Sequence, residues 1–244
     1  MDTLFLSIII PAHNEAERLP TTLNAIQEYL QNQPFQAEVL VVENGSTDET
    51  AAVVQEWQEH IPWLRLLSLA QSGKGYAVQQ GMLAARGEYR FMADADLSMP
   101  IGELGRFLKA CQEGAEVVIG SRELPGSKRI GEPLNRHLVG RAFNTMVKWV
   151  ALPGLQDTQC GFKCFRAQAA ERVFTLQTLT GWSFDVEVLV IARELGYRIA
   201  EVPITWVYNP GSRVKVLQDS IRMAEDLWYI RHNTKRGRYR ASQV

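Results

Sequence analysis

Short apolar runs alternate with segments of helical periodicity through the first half of this 244-residue chain, and that alternation leaves few folds open. Residues 6–10 form one such run, closed by Pro11, with the β-branched character of a strand buried on both faces. Leu19, Leu23, Ile26 and Leu30 then recur at helical spacing. Residues 39–42, 64–69, 89–93 and 117–119 read as further strands, with helices expected from Ser46 onward, over 77–85 and over 101–111. Ser46-Thr47-Asp48-Glu49 has the spacing of a capping box and is expected to open the first of these three helices. The pattern implies an α/β fold: a mostly parallel, twisted sheet with helices on both faces.

Ligands of such sheets gather beyond the carboxyl ends of the strands. That rule singles out residues 11–15, 43–46, 71–75 and 94–98, four loops far apart in sequence and expected on one rim. The second half changes character. Residues 121–133 are rich in Gly, Pro and basic side chains and read as a long loop; 134–152 and 184–195 read as helices, 198–208 as a strand and 216–230 as a closing helix. No linker composition interrupts the chain. The expectation is a single domain, with a donor-binding half over 1–120, an acceptor-binding half over 121–230 and a basic tail over 231–244.

The net charge of −1 conceals an asymmetry. No acidic residue follows Asp226, whereas Arg231, Lys235, Arg236, Arg238 and Arg240 are all basic; setting those five aside from 26 basic residues leaves 21 against 27 acidic ones. An acidic body argues against a nucleic-acid binder, and the basic tail suits an anionic membrane surface or simple solvation. Three cysteines, Cys111, Cys160 and Cys164, are too few and too odd in number for a disulfide framework, and they fit packing roles in a reducing cytosol. No apolar stretch approaches the roughly 18–20 residues that span a bilayer, so membrane contact is expected to be peripheral, at the cytoplasmic face. The amphipathic pattern of 134–152, with Trp149 near its end, fits a helix lying in a membrane interface or one packed on the sheet.

Chemistry concentrates in the rim loops. Asp94-Ala95-Asp96 follows a strand directly, and two carboxylates two residues apart can share a hard cation such as magnesium or manganese. Gly73-Lys74-Gly75 leads into a helix with a cation for phosphate and glycines that allow close approach, or serves as an ordinary turn. Glu43 ends a buried strand where it can accept from a nucleobase N–H. Arg122, Lys128, Arg129 and Arg213 are loop cations that can bind phosphate oxygens or merely decorate the surface.

Assembled, these residues resemble family 2 glycosyltransferases of the GT-A fold, and within them the dolichyl- or polyprenyl-phosphate glucosyltransferase and mannose synthase branch. The resemblance rests on SIIIPAHNEAERL (7–19), VVENGSTDET (41–50), SGKGYAVQQGMLAARGEY (72–89), DADLSMP (94–100), VIGSR (118–122), DTQCGFKCF (157–165) and FDVEVLVIARELGYRIAEVP (184–203), which occur in order along nearly the whole chain. It implies that Pro11, Ala12, Asn14 and Glu15 line the nucleotide pocket, that Glu43 and Lys74 contact the nucleoside or diphosphate, and that Asp94, Ala95 and Asp96 meet the donor, the two aspartates with a metal. It further implies that Arg122, with Arg213, faces the acceptor phosphate, and that Asp157 works near the reacting sugar carbon, alongside Asp96, as base or orienting group. Glu43-Asn44 stands where the family usually has two aspartates, and Ser98 where mannose synthases often carry glutamine. The expected activity is inverting transfer of a hexose from a nucleotide sugar, UDP-glucose preferred, to a polyprenyl phosphate. GDP-mannose as donor, or a saccharide hydroxyl as acceptor, is the alternative.

Overall fold

The computed structural model describes residues 4–133, 141, 144–149, 151–209 and 216–240. Its centre is a seven-stranded sheet of β1 (Leu6–Ala12), β2 (Ala37–Asn44), β3 (Leu64–Leu69), β4 (Tyr89–Met92), β5 (Val117–Ser121), β7 (Lys163–Arg166) and β8 (Ile199–Pro203), ordered β3-β2-β1-β4-β7-β5-β8. All pairings are parallel except the two made by β7, which runs antiparallel to both β4 and β5. A parallel ribbon of β6 (Lys128–Ile130) and β9 (Thr205–Val207) stands apart. The helices are α1 (Leu19–Gln31), α2 (Thr50–Gln58), α3 (Lys74–Ala84), α4 (Leu104–Gln112, preceded by a 3-10 turn at Ile101–Glu103), α5 (Ala167–Leu176), α6 (Phe184–Glu194) and α7 (Val216–Lys235).

The twofold alternation of side chains along each strand divides the core into two layers. Ile8, Ile10, Val39, Val41 and Phe91 point to one face, against α1 and α4 through Leu23, Ile26, Leu104 and Phe107. Ile9, Val42, Met92, Val117, Ile119 and Phe165 point to the other, against α3, α5 and α6 through Val78, Val173 and Val188. A strand buried on both sides is apolar at nearly every position, and the one polar residue of 6–10, Ser7, is buried with its hydroxyl donating to Glu38 Oε1 at 2.7 Å.

Several expectations change in detail. Pro11 does not end β1: the strand runs on to Ala12, and Pro11 lies beyond the β4 pairing, opposite Val42 of β2 alone, so its missing N–H is tolerated. Ser46-Thr47-Asp48-Glu49 is not a capping box. α2 starts at Thr50 without a side-chain cap from Glu49, and Asp48 Oδ1 accepts the Thr50 N–H at 3.0 Å. The strand expected over 198–208 divides at Ile204, where the Ile204 N–H donates to Ser121 O (3.2 Å) and its carbonyl accepts from Lys128 N (3.0 Å), taking the chain from sheet to ribbon. The expected loop 121–133 contains β6. β7 and α5 have no counterpart among the elements expected from the sequence. The expected helix 134–152 lies mostly outside the described residues, of which 141 and 144–149 are helical. α7 runs five residues past position 230, to Lys235, and beyond it Tyr239 is fully buried in the second core layer. The basic tail is therefore folded onto the body at least to this residue. Among the described residues no helix is long and apolar enough to cross a membrane.

Candidate active site

The carboxyl ends of β2, β1 and β4 lie side by side, and the antiparallel β7 brings its amino end to the same rim beside β4. The first two loops are laced together. Asn14, at φ 52° in the left-handed region that asparagine tolerates, donates its N–H to Ser46 Oγ (3.0 Å) and accepts from Thr47 N through Oδ1 (2.7 Å). Glu15 N–H reaches Thr50 Oγ1 at 2.8 Å, and Glu15 pairs with Arg18 at 3.0 Å. Glu43, almost fully buried, turns one carboxylate oxygen to the Ser46 N–H at 2.5 Å. Pro11 and Ala12 close β1 directly beneath these contacts. The polar residues of 46–50 thus hold the first loop, and Asp48 also turns Oδ1 to the Thr50 N–H at the start of α2.

Asp94 follows β4. Its Oδ1 accepts from Lys74 Nζ at 2.6 Å, and Lys74 opens α3 with the Trp182 ring 5.2 Å from its ammonium. Burial alone would lower the Lys74 pKa, but the negative charges of Asp94 and Asp185 outweigh it and hold the ammonium above its ordinary value. Ala95 is buried, its carbonyl accepting from Thr22 Oγ1 at 2.6 Å. Asp96 Oδ1 accepts the Ser98 N–H at 3.0 Å across a turn that puts Leu97 at φ 42°. On the far side, a Cβ at Gly161 would sit 2.1 Å from Asp94 Oδ2, so a side chain there would displace this carboxylate from its place beside Lys74.

The second ion pair lies across the sheet. Arg122, just past β5, donates from Nε (2.6 Å) and Nη2 (2.9 Å) to the two oxygens of Asp157, and the Arg122 backbone N–H adds a third bond at 3.0 Å. Trp206 of β9 lies under the guanidinium at 5.5 Å. Burial by itself would raise the Asp157 pKa, but the charge and hydrogen bonds of Arg122 hold it below the usual carboxylate range. Arg129 sits behind this pair, bound at 2.5 Å to both Glu123 and Glu132, and Lys128 is exposed on the ribbon. Only four peptide units separate Asp157 from Gly161, so their Cα atoms are at most about 14 Å apart. One short segment therefore joins the Arg122 pair to the Asp94 pair.

All the sequence-derived site residues but one are placed here; Arg213 lies outside the described residues. The structure adds residues that the sequence pattern left unassigned: Gly161, Trp182, and a buried ion pair between Lys163 and Asp185 at 2.5 Å, with Lys163 also donating to Cys160 O. Gly161, Lys163 and Asp185 stand inside the motifs 157–165 and 184–203, but nothing in their spacing marks a buried lysine. The three cysteines are free and buried, and burial pushes the Cys160 thiol up to about 12, consistent with packing roles. As a cation site, Asp94 and Asp96 offer hard carboxylate oxygens. Among the described residues no group of three or more His, Cys, Asp or Glu side chains could hold a metal unaided. These two carboxylates would hold a divalent ion only with further oxygen ligands from outside the described residues.

Known proteins resemble this chain in sequence and in fold. The family model described as glycosyl transferase family 2 matches residues 7–174. Dolichyl-phosphate beta-glucosyltransferase of Dictyostelium discoideum is 36% identical over 245 residues, covering 95% of this chain and 75% of the relative. The Homo sapiens protein of the same name is 31% identical over 254 residues, covering 98% of this chain and 78% of the relative. Among solved structures, glucosyl-3-phosphoglycerate synthase from Mycobacterium tuberculosis, in complex with Mn2+, UDP and glucosyl-3-phosphoglycerate, superposes with a TM-score of 0.67 at 19% identity, covering 93% of this chain and 79% of that one; it shares the fold. With its GT-A architecture, its rim of Asp94, Asp96 and Lys74 and these relatives, the chain belongs to glycosyl transferase family 2 and is a glycosyltransferase.

Proposed function

We propose that the chain transfers glucose from UDP-glucose to the phosphate of a polyprenyl lipid, with inversion at the anomeric carbon. The names of the relatives support the substrate pair. The observation that carries the choice of acceptor is the state of Asp157. A sugar hydroxyl needs a general base to take its proton. Asp157 is ill suited to act as that base, because three hydrogen bonds from Arg122 occupy it and its pKa is driven down. A phosphate monoester is already anionic near neutral pH and needs no base. What it needs is a cation, and the guanidinium has five N–H donors, of which Asp157 engages those of Nε and Nη2.

In this reading the donor diphosphate lies beside Lys74 on the Asp94 side, and the acceptor phosphate meets Arg122. An acceptor oxygen attacks the anomeric carbon as the bond to the UDP oxygen breaks, and UDP leaves with the electron pair; no proton moves. Asp94 and Asp96 would hold magnesium or manganese, which when bound offsets the charge on the leaving diphosphate. Asp157 orients Arg122 and keeps its planar fork turned to the site. Glu43, Asn14 and the laced loops shape the nucleoside pocket. The testing experiment offers UDP-glucose with a polyprenyl phosphate or with the corresponding alcohol; glucosylation of the phosphate alone is expected.

Contact with the membrane is peripheral in this account. Arg231, Lys235, Arg236, Arg238 and Arg240 are all exposed while Tyr239 between them is buried, so the cations form a surface on an anchored segment. Trp149, 87% exposed, projects from the helical stretch 144–149 that Lys148 ties to Gln156 at 2.8 Å, next to Asp157. Each cation near an anionic leaflet contributes about 1 kcal/mol, screened by salt. The protein is expected to sediment with anionic liposomes at low salt and to be released at high salt. Replacing Lys235, Arg236 and Arg238 together by Gln should weaken binding with the fold intact, whereas truncation after Ile230 would also remove buried Tyr239. Equal sedimentation with neutral and anionic liposomes would contradict the role of these cations.

A further inference from the structure

The family match ends at residue 174, yet the loop bearing Lys74 is held from behind by the segment that follows it. Tyr76 N–H donates to Thr180 O at 3.2 Å, and Gln177 Nε2 donates to Gly75 O at 2.9 Å and to Leu179 O at 2.7 Å. The fit leaves no room for side chains. A Cβ at Gly73, itself at φ 145°, would stand 2.9 Å from Thr180 O, and one at Gly75 would stand 2.8 Å from both Leu179 O and Phe184 Cβ. With Trp182 against its ammonium, Lys74 takes its place from the backbone at 179–181.

That backbone hangs in turn on one carboxylate. Glu187 of α6 is fully buried; its Oε2 accepts the N–H groups of Thr178 (3.0 Å) and Leu179 (2.7 Å), and its Oε1 accepts Thr178 Oγ1 (2.5 Å) and Tyr239 OH (2.8 Å). Tyr239, also fully buried, receives the Asn233 Nδ2 donor at 3.3 Å. Burying a carboxylate is costly. Here four donors converge on it, and a glutamine would present a single acceptor oxygen to them.

We propose that Glu187 and Tyr239 are positioning residues: a C-terminal clamp that fixes residues 178–181 and, through them, sets Lys74 against the donor diphosphate. Neither touches the donor, and the proposal rests on the reading of Lys74 as a diphosphate contact. It makes the segment after α7 part of the donor site's scaffold as well as a basic surface.

Calorimetric titration of the full chain with UDP in saturating manganese tests it. Lys74→Ala should weaken binding at least tenfold. Tyr239→Phe, which keeps the ring and removes one donor, should weaken it about fivefold, and Glu187→Gln more than about tenfold. In the Lys74→Ala background Tyr239→Phe should cost nothing further, which a merely structural role would not produce. Amide exchange at Tyr76 should also accelerate in Tyr239→Phe, a variant that decides the matter even if Glu187→Gln fails to fold. Wild-type UDP affinity in Tyr239→Phe and Glu187→Gln, with Lys74→Ala impaired, would overturn the clamp; so would equal losses with and without Lys74. Unchanged binding in Lys74→Ala would instead overturn the donor reading beneath it.

Discussion

Asp96→Ala is expected to lower kcat/KM on the order of a hundredfold or more, and EDTA to abolish turnover of the unaltered protein. Loss of a metal-holding carboxylate removes stabilisation of the leaving diphosphate, and a few kcal/mol at the transition state is enough for that factor. Asp96 also has a local duty, since Oδ1 accepts the Ser98 N–H at 3.0 Å beside Leu97 in the left-handed region. Asp96→Asn separates the two roles, because its amide oxygen can still receive that N–H while the charge is gone. Asn should therefore be nearly as inactive as Ala but closer to the parent in thermal stability. Full turnover in EDTA, or an active Asn variant, would contradict a metal held by Asp94 and Asp96.

Arg122→Ala should have the largest combined effect on activity and stability. It strips the partner from Asp157, which is 1% exposed, and breaking a buried pair from one side costs about 3–5 kcal/mol. The depressed pKa of Asp157 sets the sign of the pH dependence: the pair's contribution is complete above the ordinary carboxylate pKa of about 3.9 and is lost as pH falls through the lower folded value. Arg122→Ala with Asp157→Ala should recover much of the stability and none of the transfer. Transfer should fall more than about a hundredfold in either, since the acceptor phosphate loses its fork. UDP-glucose affinity, read by calorimetry, should stay close to that of the parent. A large loss of donor affinity would place Arg122 on the donor side.

Much of this site was legible because the folding signal and the chemical signal coincide. β3 spans 64–69 as read, and Asp94 follows the strand read over 89–93, so the rule that strands deliver ligands at their carboxyl ends singles out the candidate rim from the residues alone. β7 was not legible. Its four residues, Lys163-Cys164-Phe165-Arg166, carry charge at both ends and no period long enough to count, and its burial depends on β4 and β5 from distant sequence. Missing β7 hid how closely Gly161 approaches Asp94 and where a buried Lys163 would find Asp185. The capping-box reading failed for a related reason. Ser46 and Glu49 have the spacing of a capping box, but Ser46 Oγ accepts the Asn14 N–H, a partner that only tertiary structure supplies, and Asp48 divides its oxygens between the Ala16 and Thr50 N–H groups. The sequence leaves the tail as either a membrane-facing charge cluster or solvated charge, because one tyrosine among five cations gives no periodicity, yet Tyr239 is buried and anchors it.

The central claim is glucose transfer to a lipid phosphate, and product analysis tests it most directly. The protein is incubated with a mixture of UDP- and GDP-sugars, together with undecaprenyl phosphate and undecaprenol, and lipid products are identified by mass spectrometry with the anomeric configuration assigned by NMR. The account predicts a single product, β-linked glucosyl phosphate lipid, formed from UDP-glucose. A glucoside of the alcohol, mannosyl phosphate lipid, or no lipid product alongside an active soluble saccharide acceptor would contradict it.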